Sequence, residues 1–354
     1  MKQHLKVIIP LAVSAFFLWL ALRGVKWAEV AVHVRQANWF YLFLSALVGT
    51  LAIHFRALRW KALLAPVQPD VGFHPRLAGT AVGFAANNLI PARVGEVVRS
   101  VVTARLAKLP VSAVLASIVV ERVLDGLVTV LLLFIVMALP GFPDPERAAA
   151  ALAVVRLVAL VMAVAGIVLI VLALLPARSV ALAERTAARL LPARFRAPFL
   201  ERLNEFIAGL AVLRNPRLMA VSVAWAVAQW LFIPLSIYFG FLAFGIHEPG
   251  FLGAVFLQCA INLAVAVPSS PGFFGPLEAA ATFGLGLWAV DHERAVSFAM
   301  GYHLAGYLMV TLLGLWYVQR LNLSWHELIG SAKKAEAEAE AEAGHAPPVE
   351  TRRG

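Results

Sequence analysis

Two polar segments interrupt a chain that otherwise consists of long apolar stretches. The first runs from Asn87 to Arg99, and the second runs from Asn262 to Glu278. Each contains Asn-Leu, then the helix breakers Pro and Gly, then a glutamate. Broken backbone and charge are tolerated at membrane depth only where protein packs around them or where they line a cavity. A matched pair in the two halves of one chain therefore indicates a binding site of the kind found in transporters.

The composition is that of a polytopic membrane protein. Of the 354 residues, 61% are hydrophobic and only 14% are charged, whereas soluble proteins average about 25% charged residues. The net charge of +10 does not indicate nucleic-acid binding, because no nucleic-acid motif accompanies it and basic residues are expected in cytoplasmic loops. The single cysteine, Cys259, excludes an intrachain disulfide and a cysteine metal cluster.

The hydropathy pattern predicts an all-α fold with about six full spans and two re-entrant helical hairpins. A full span needs about 20 apolar residues. The first hairpin covers residues 74–108, and the second hairpin covers residues 251–290. Breaks in the two hairpins are predicted at Pro91, Gly95, Pro268, Pro271, Gly272 and Gly275. The full spans are predicted near residues 6–22, 40–58, 111–139, 151–175, 217–243 and 295–318.

The distribution of basic residues predicts how these elements are oriented. Residues 176–217 contain eight arginines and three glutamates, which is typical of a basic amphipathic segment on the cytoplasmic face. The basic stretches 56–61 and 99–108 indicate the same face, so the first hairpin is predicted to enter from the cytoplasm. Loops that are richer in acids indicate the other face for the second hairpin; they are 140–147, 245–250 and 291–294.

This orientation predicts that the two hairpins form an inverted repeat. It also places both chain termini in the cytoplasm. The tail, residues 331–354, contains an Ala-Glu repeat and few large apolar residues. A segment of that composition cannot bury enough apolar surface to fold, so we predict a disordered cytoplasmic tail.

The first polar segment contains Arg93, Glu96 and Arg99. Glu96 and Arg99 are three residues apart, so on a helix they share a face and are predicted to pair. The two arginines and a helix N-terminus at the break would form a site for a lipid phosphate. The alternative is a cytoplasmic basic loop that meets anionic headgroups.

Ionisable residues also lie inside the predicted span 111–139 and in the second hairpin. Glu121 and Asp125 share one helix face, and Arg122 is predicted to pair with Asp125 or with the Glu96 segment. Glu278 is predicted to pair with one of Arg93, Arg99 and Arg122, or to carry a coupling proton. The alternative for each group is a structural ion pair that holds helices together.

Other polar side chains lie in predicted spans and give weaker indications. They either line a pathway or form hydrogen bonds between helices; they are His54, Gln229, Gln258, His303 and Tyr307. The sequence contains no motif of a hydrolase, a metalloprotease or a nucleotide-binding loop. We therefore expect no catalytic residues, no metal and no cofactor.

Three motifs resemble those of the flippase-like, lysylphosphatidylglycerol synthase transmembrane-region family. They are Asn-Asn-Leu-Ile-Pro-Ala-Arg-Val-Gly-Glu-Val-Val-Arg at 87–99, Glu-Arg-Val-Leu-Asp at 121–125 and Pro-Ser-Ser-Pro-Gly-Phe-Phe-Gly-Pro-Leu-Glu at 268–278. The resemblance implies an inner-membrane α-helical protein that moves lipids between leaflets, with one transmembrane flippase-like domain over residues 1–320. The aminoacyl-lipid synthases of the family add a soluble synthase domain, for which this chain leaves no room after its last predicted span.

The resemblance leads to the hypothesis of a lipid translocator that acts on an anionic or polyprenyl-linked headgroup. The expected headgroup-binding residues are Asn88, Arg93, Glu96, Arg99, Arg122 and Glu278, with Glu121 and Asp125 in a coupling network. Two alternatives remain open. One is a membrane partner or scaffold of a lipid-synthesis enzyme, and the other is an intramembrane enzyme that acts on lipid-linked substrates.

Overall fold

The apolar stretches of the chain form helices, because backbone groups in lipid must satisfy their hydrogen bonds within the segment. The computed structural model describes residues 2–90, 94–143, 149–190, 193–328 and 330, which form thirteen α-helices up to residue 320 and a further helical turn at residues 325–328. The helices are α1 (Lys2–Leu22), α2 (Trp27–Gln36), α3 (Trp39–Leu64), α4 (Phe73–Leu89), α5 (Gly95–Ala107), α6 (Val111–Ala138), α7 (Ala149–Leu174), α8 (Pro176–Leu190), α9 (Ala193–Gly209), α10 (Pro216–Ala243), α11 (Gly250–Ala264), α12 (Pro276–Leu287) and α13 (His292–Arg320). The predicted tail 331–354 lies outside the described residues.

All six predicted full spans are helical, and the all-α membrane fold is confirmed. Among the described residues, α3, α10 and α13 are long and apolar enough to cross a membrane. Two bent pairs raise that number to five if each is one span: α1 and α2 meet at 84°, and α7 and α8 meet at 101°. Helix α6 is 28 residues long but contains three charged residues, so the number of crossings stays a prediction.

The antiparallel pair of α3 and α10 forms the centre of the bundle. The Ser45 hydroxyl donates to the Ser236 carbonyl (2.6 Å), and the Ser236 hydroxyl donates to the Ser45 carbonyl (2.9 Å). At one end of the pair, the Asn38 N–H donates to the Ala243 carbonyl (2.8 Å). A contact in which each residue makes the same bond to the other is typical of a two-fold axis. Here the two serines belong to the two halves of one chain.

The halves α3–α6 and α10–α13 repeat the same order of elements. In each half a long helix is followed by a hairpin, α4–α5 or α11–α12, and then by another long helix. The Asn88 side chain of the first hairpin donates to Thr311 Oγ1 on α13 (2.8 Å). The Asn262 side chain of the second hairpin donates to Thr129 Oγ1 on α6 (3.0 Å). Each hairpin thus packs against the last helix of the opposite half.

Helices α6 and α13 begin at opposite ends of the bundle. The start of α13 lies beside the end of α10, where Arg294 Nη1 donates to the Gly245 carbonyl (3.4 Å). The start of α6 lies beside the end of α3, where Trp60 Nε1 donates to Ser117 Oγ (2.9 Å). Because α3 and α10 are antiparallel, α6 and α13 run in opposite directions.

The two hairpins enter the bundle from opposite ends, as the basic residues predicted. Helix α4 begins beside the end of α13, where the rings of His74 and Tyr317 are 5.5 Å apart. Helix α11 is likewise antiparallel to the helix it packs against, α6. Its Phe256 ring lies 5.3 Å from the ring of Phe142, which follows the end of α6. Which end faces the cytoplasm remains a prediction.

Gly314 allows α13 to approach α4 closely, because it has no side chain at the contact. A Cβ at Gly314 would lie 2.4 Å from Ala85 Cβ and 2.5 Å from the Ala81 carbonyl oxygen. We expect Gly314→Ala to destabilise the protein by roughly 1–3 kcal/mol, because overpacking forces backbone shifts. Thermal unfolding in detergent micelles measures this effect.

Gly306→Ala on the same helix is the matched control. A Cβ at Gly306 meets no atom within 4 Å. We expect this variant to be neutral or more stable by about 0.5–1 kcal/mol, because alanine is the better helix former. Equal destabilisation by the two variants would contradict the packing described here.

Candidate functional site

Among the described residues, the largest group of buried charges lies between α3, α5 and α6, and we call it the buried charge network. It consists of Arg56, Arg59, Arg99, Glu121 and Asp125, all of which are buried. Arg99 donates twice to Glu121, at 2.8 and 2.9 Å, and Arg56 donates to the same carboxylate at 2.8 Å. Arg59 donates to Asp125 at 2.6 and 3.3 Å. The helical spacing of Glu121 and Asp125 places both carboxylates on one face of α6, towards the arginines.

Two tryptophans complete the surroundings of this network. Trp230 on α10 donates to Asp125 at 3.1 Å, and the Arg99 guanidinium lies 3.8 Å from the centre of the Trp60 ring. Buried charges cost several kcal/mol each to desolvate and are tolerated only with good partners. The network therefore holds α3, α5, α6 and α10 in one arrangement.

Two predictions about these charges are wrong. The basic stretch 56–61 stays a prediction of the cytoplasmic face, and its Arg56 and Arg59 belong to α3 and contact the carboxylates of α6. Glu96 does not pair with Arg99, because Arg99 is bound to the fully buried Glu121. Arg122 does not pair with Asp125, because its guanidinium binds Glu96 on α5 instead.

The partner of Arg122 is Glu96, as the alternative prediction stated. Arg122 Nη2 forms an ion pair with Glu96 Oε1. The two side chains keep 42% and 32% of their surface exposed, in contrast to the buried charge network. Glu96 lies in the first turn of α5, just after the first break. A carboxylate at this position interacts favourably with the positive end of the helix dipole. The first hairpin therefore presents an open ion pair.

The first break is held by asparagines. The Asn87 side chain accepts from the Gly95 N–H (2.9 Å), and a Cβ at Gly95 would lie only 2.2 Å from the Gly83 carbonyl oxygen. Asn88 is bound to Thr311, and its carbonyl accepts from the Tyr307 hydroxyl (3.3 Å). Asn88 is thus occupied in packing. Arg93 and Pro91 lie outside the described residues, so their predicted roles stay predictions.

The second break lies between α11 and α12 and contains Pro268, Pro271, Gly272 and Gly275. Gly272 (φ 73°) and Gly275 (φ 99°) occupy the left-handed region that favours glycine. Helix α1 packs on this break, where Ser14 Oγ accepts from the Ser270 N–H (2.7 Å). The predicted hairpin breaks in this segment are therefore present.

Glu278 contacts a histidine rather than an arginine. Its Oε2 accepts from the Gly275 N–H (2.7 Å), and its Oε1 lies 2.5 Å from His303 Nδ1. His303 Nε2 lies 2.7 Å from the Gly272 carbonyl oxygen. The prediction of a pair with Arg99 or Arg122 is wrong, because both arginines have partners within the first half.

The two glutamates occupy equivalent places in the two halves. Glu96 and Glu278 both lie in the first turn of the second helix of their hairpin. Their partners lie on the last helix of the same half: Arg122 on α6 and His303 on α13. Sequence reasoning gave His303 only a weak indication, and a comparison of the two halves would have identified it.

The buried network and the open pair differ in what their removal should cost. We expect Arg59→Met to destabilise the protein by about 3–5 kcal/mol, because it leaves a buried carboxylate without its partner. We expect Arg122→Met to cost less than Arg59→Met, because the side chains of the Glu96–Arg122 pair keep 42% and 32% of their surface exposed. Thermal unfolding of both variants in one detergent compares them, and equal losses would contradict the division into two groups.

Comparison with known proteins gives one family match and one distant relative. The family described as lysylphosphatidylglycerol synthase TM region matches residues 7–314. The UPF0104 membrane protein MJ1078 of Methanocaldococcus jannaschii is 25% identical over 241 residues, covering 67% of this chain and 95% of the relative. No solved structure matches the chain. The family match spans both hairpins, both ion pairs and the buried charge network, and the chain belongs to the family of lysylphosphatidylglycerol synthase transmembrane regions.

Proposed function

We propose that this protein moves a lipid with an anionic headgroup between the two leaflets of a membrane. The family is one of membrane lipid metabolism or transport, which leaves the activity itself open. The observation that carries the proposal is the open Glu96–Arg122 pair at the break of a re-entrant hairpin. Intramembrane charges beside broken helices are typical of substrate sites in transporters with inverted repeats.

The headgroup would bind by exchange at Arg122. A guanidinium binds phosphate through two parallel hydrogen bonds, as it binds a carboxylate. The pair with Glu96 is partly exposed, so a lipid phosphate can reach Arg122 and replace Glu96 without opening the buried charge network. Polyprenyl-linked phosphates present the same chemistry as anionic phospholipids.

Arg99 is assigned to a different role in this proposal. Its release from Glu121 would leave a buried carboxylate with one arginine fewer, at a cost of about 3–5 kcal/mol. Arg99 and the rest of the buried charge network would therefore position the first hairpin rather than bind the headgroup. Arg93 precedes Val94 in the same break and would be a second cation for the phosphate.

The inverted repeat would give the lipid access from both leaflets. The first hairpin and the second hairpin start from opposite ends of the bundle and meet the opposite half through Asn88 and Asn262. Rocking of one half against the other around a fixed site is the usual movement in such repeats. The acyl chains would remain in the surrounding bilayer during the transfer.

The scaffold hypothesis is the second candidate, and the buried charge network favours it. A rigid network that joins four helices would equally serve a membrane partner of a lipid-synthesis enzyme. The two hypotheses differ in what Arg122 does, because a scaffold has no need of an open cation at the hairpin break.

Transport by reconstituted protein tests the proposal. In liposomes with fluorescent phosphatidylglycerol, we expect Arg122→Gln to slow dithionite-accessible transfer by about 10–100-fold. This range follows from the roughly 1.5–3 kcal/mol that a hydrogen bond to a charged group contributes. Arg105→Gln is the matched control, because Arg105 forms an exposed pair with Glu327 away from both breaks.

Glu96→Gln tests the exchange from the other side. The variant removes the competing carboxylate, so we expect Arg122 to retain phosphatidylglycerol at least as well as the unmodified protein in native mass spectrometry. Normal transfer by folded Arg122→Gln would contradict the translocator and support the scaffold. Loss of transfer by Arg105→Gln to the same extent would also contradict the assigned site.

A further inference from the structure

We propose that Glu278 and His303 form a proton-binding site that keeps the second break closed while the proton is bound. The site links α12 to α13 and to the carbonyl of Gly272 within the break. Its ligand is a single proton shared between a carboxylate and an imidazole. The site stands on its own geometry, and only its coupling to lipid transfer rests on the proposed function.

The hydrogen bonds of His303 determine how many protons the pair holds. The Gly272 carbonyl has no hydrogen to donate, so His303 Nε2, at 2.7 Å, must carry one. His303 Nδ1 and Glu278 Oε1 are 2.5 Å apart, and two lone pairs cannot face each other at that distance. A hydrogen must therefore lie between these two atoms.

The pair thus holds one proton more than a neutral imidazole and a carboxylate would hold together. The proton belongs either to an imidazolium beside a carboxylate or to a carboxylic acid beside an imidazole. Both forms carry no net charge, which suits residues that are only 3% and 6% exposed. The remaining oxygen, Glu278 Oε2, accepts from the Gly275 N–H at 2.7 Å, so all four polar atoms of the two side chains have partners.

Loss of this proton to water would make the contact repulsive. Only the N–H or O–H bond breaks, and the pair is left with one negative charge and a lone pair on Nδ1 directed at the carboxylate. A buried carboxylate without a donor costs several kcal/mol. Separation of α12 from α13 relieves that cost, and it releases the segment between Gly272 and Gly275 because both glycines are bound to this pair.

Among the described residues, the hydrogen bonds and ion pairs of Glu278 and His303 involve no third charged side chain. Helix α13 contributes Tyr307, whose ring lies 6.4 Å from that of His303. Helix α1 contributes the uncharged Ser14 to the break, and α4 contributes the uncharged Asn88, through Tyr307. Helix α11 has one ionisable residue, Cys259, which packs in a separate apolar cluster with residues of α6 and α10.

The equivalent pair in the first half does not have this property. Arg122 keeps its charge at every physiological pH, so Glu96–Arg122 cannot lose a proton. Histidine is the side chain whose charge changes in that range. The two halves thus place a permanent cation at one break and a removable proton at the other, and proton release would act on the second hairpin alone.

Distance measurement between two spin labels tests the site without any transport. In a Cys259→Ser background, labels replace Val267 at the second break and Leu312 on α13, which are 37% and 64% exposed. We expect one short distance at about pH 5, where the pair keeps its proton, and a longer population at about pH 9, where the proton is lost to water.

Glu278→Gln is the decisive variant. Its amide N–H donates to His303 Nδ1 and its oxygen accepts from Gly275, so it imitates the protonated acid. We expect the short distance at both pH values. Glu327→Gln is the matched control, because Glu327 is an exposed carboxylate that pairs with Arg105, and it should keep the response of the unmodified protein. If Glu278→Gln does not fold, His303→Arg, which copies the pair of the first half, should likewise lose the response.

Two results would overturn the proposal. One is an unmodified protein whose distance is the same at both pH values, and the other is a Glu278→Gln variant that keeps the full response. The outcomes are separable from those of the transport assay. A pH response together with normal transfer by Arg122→Gln would support the proton site and contradict the translocator. Slow transfer by Arg122→Gln without a pH response would support the translocator and contradict the proton site.

Discussion

The reciprocal contact of α3 and α10 is the constraint on which the rest of the structure depends. Ser45 and Ser236 bond each other's carbonyls at the centre of this antiparallel pair, and the pair sets the two halves in opposite directions. The hairpins consequently start from opposite ends and bond the opposite half through equivalent asparagines, Asn88 and Asn262. Helix termini at both breaks thereby bond to protein partners, as broken backbone at membrane depth requires.

On this repeated framework the two halves carry different charges. The first half contains the buried charge network and the open Glu96–Arg122 pair, whereas the second half contains the compact Glu278–His303 pair. Buried charges retain their positions because separation is costly. Movement is easier where a pair is open or where a proton can leave, and both such places lie beside a helix break.

Much of the fold was predictable from the sequence, because hydropathy and helix breakers are local signals. The prolines and glycines predicted both breaks. The basic stretches predicted that the two hairpins enter from opposite ends of the bundle. The partners of the charges were not predictable, because spacing shows which residues share a helix face but not which helix lies opposite. Arg56 and Arg59 resembled a cytoplasmic basic stretch in sequence, yet they neutralise the carboxylates of α6. His303 showed only the weak signal of a polar residue in a predicted span, and the repeat is what relates it to Arg122.

Labelling of single cysteines tests the inverted repeat most directly. In a Cys259→Ser background, one cysteine replaces the exposed Arg105 near the end of the first hairpin, and another replaces the exposed His292 at the start of α13, just after the second hairpin. A maleimide that cannot cross the membrane is added to intact cells and to inverted vesicles. We expect the two positions to react from opposite sides of the membrane. Reaction of both from the same side would contradict the account.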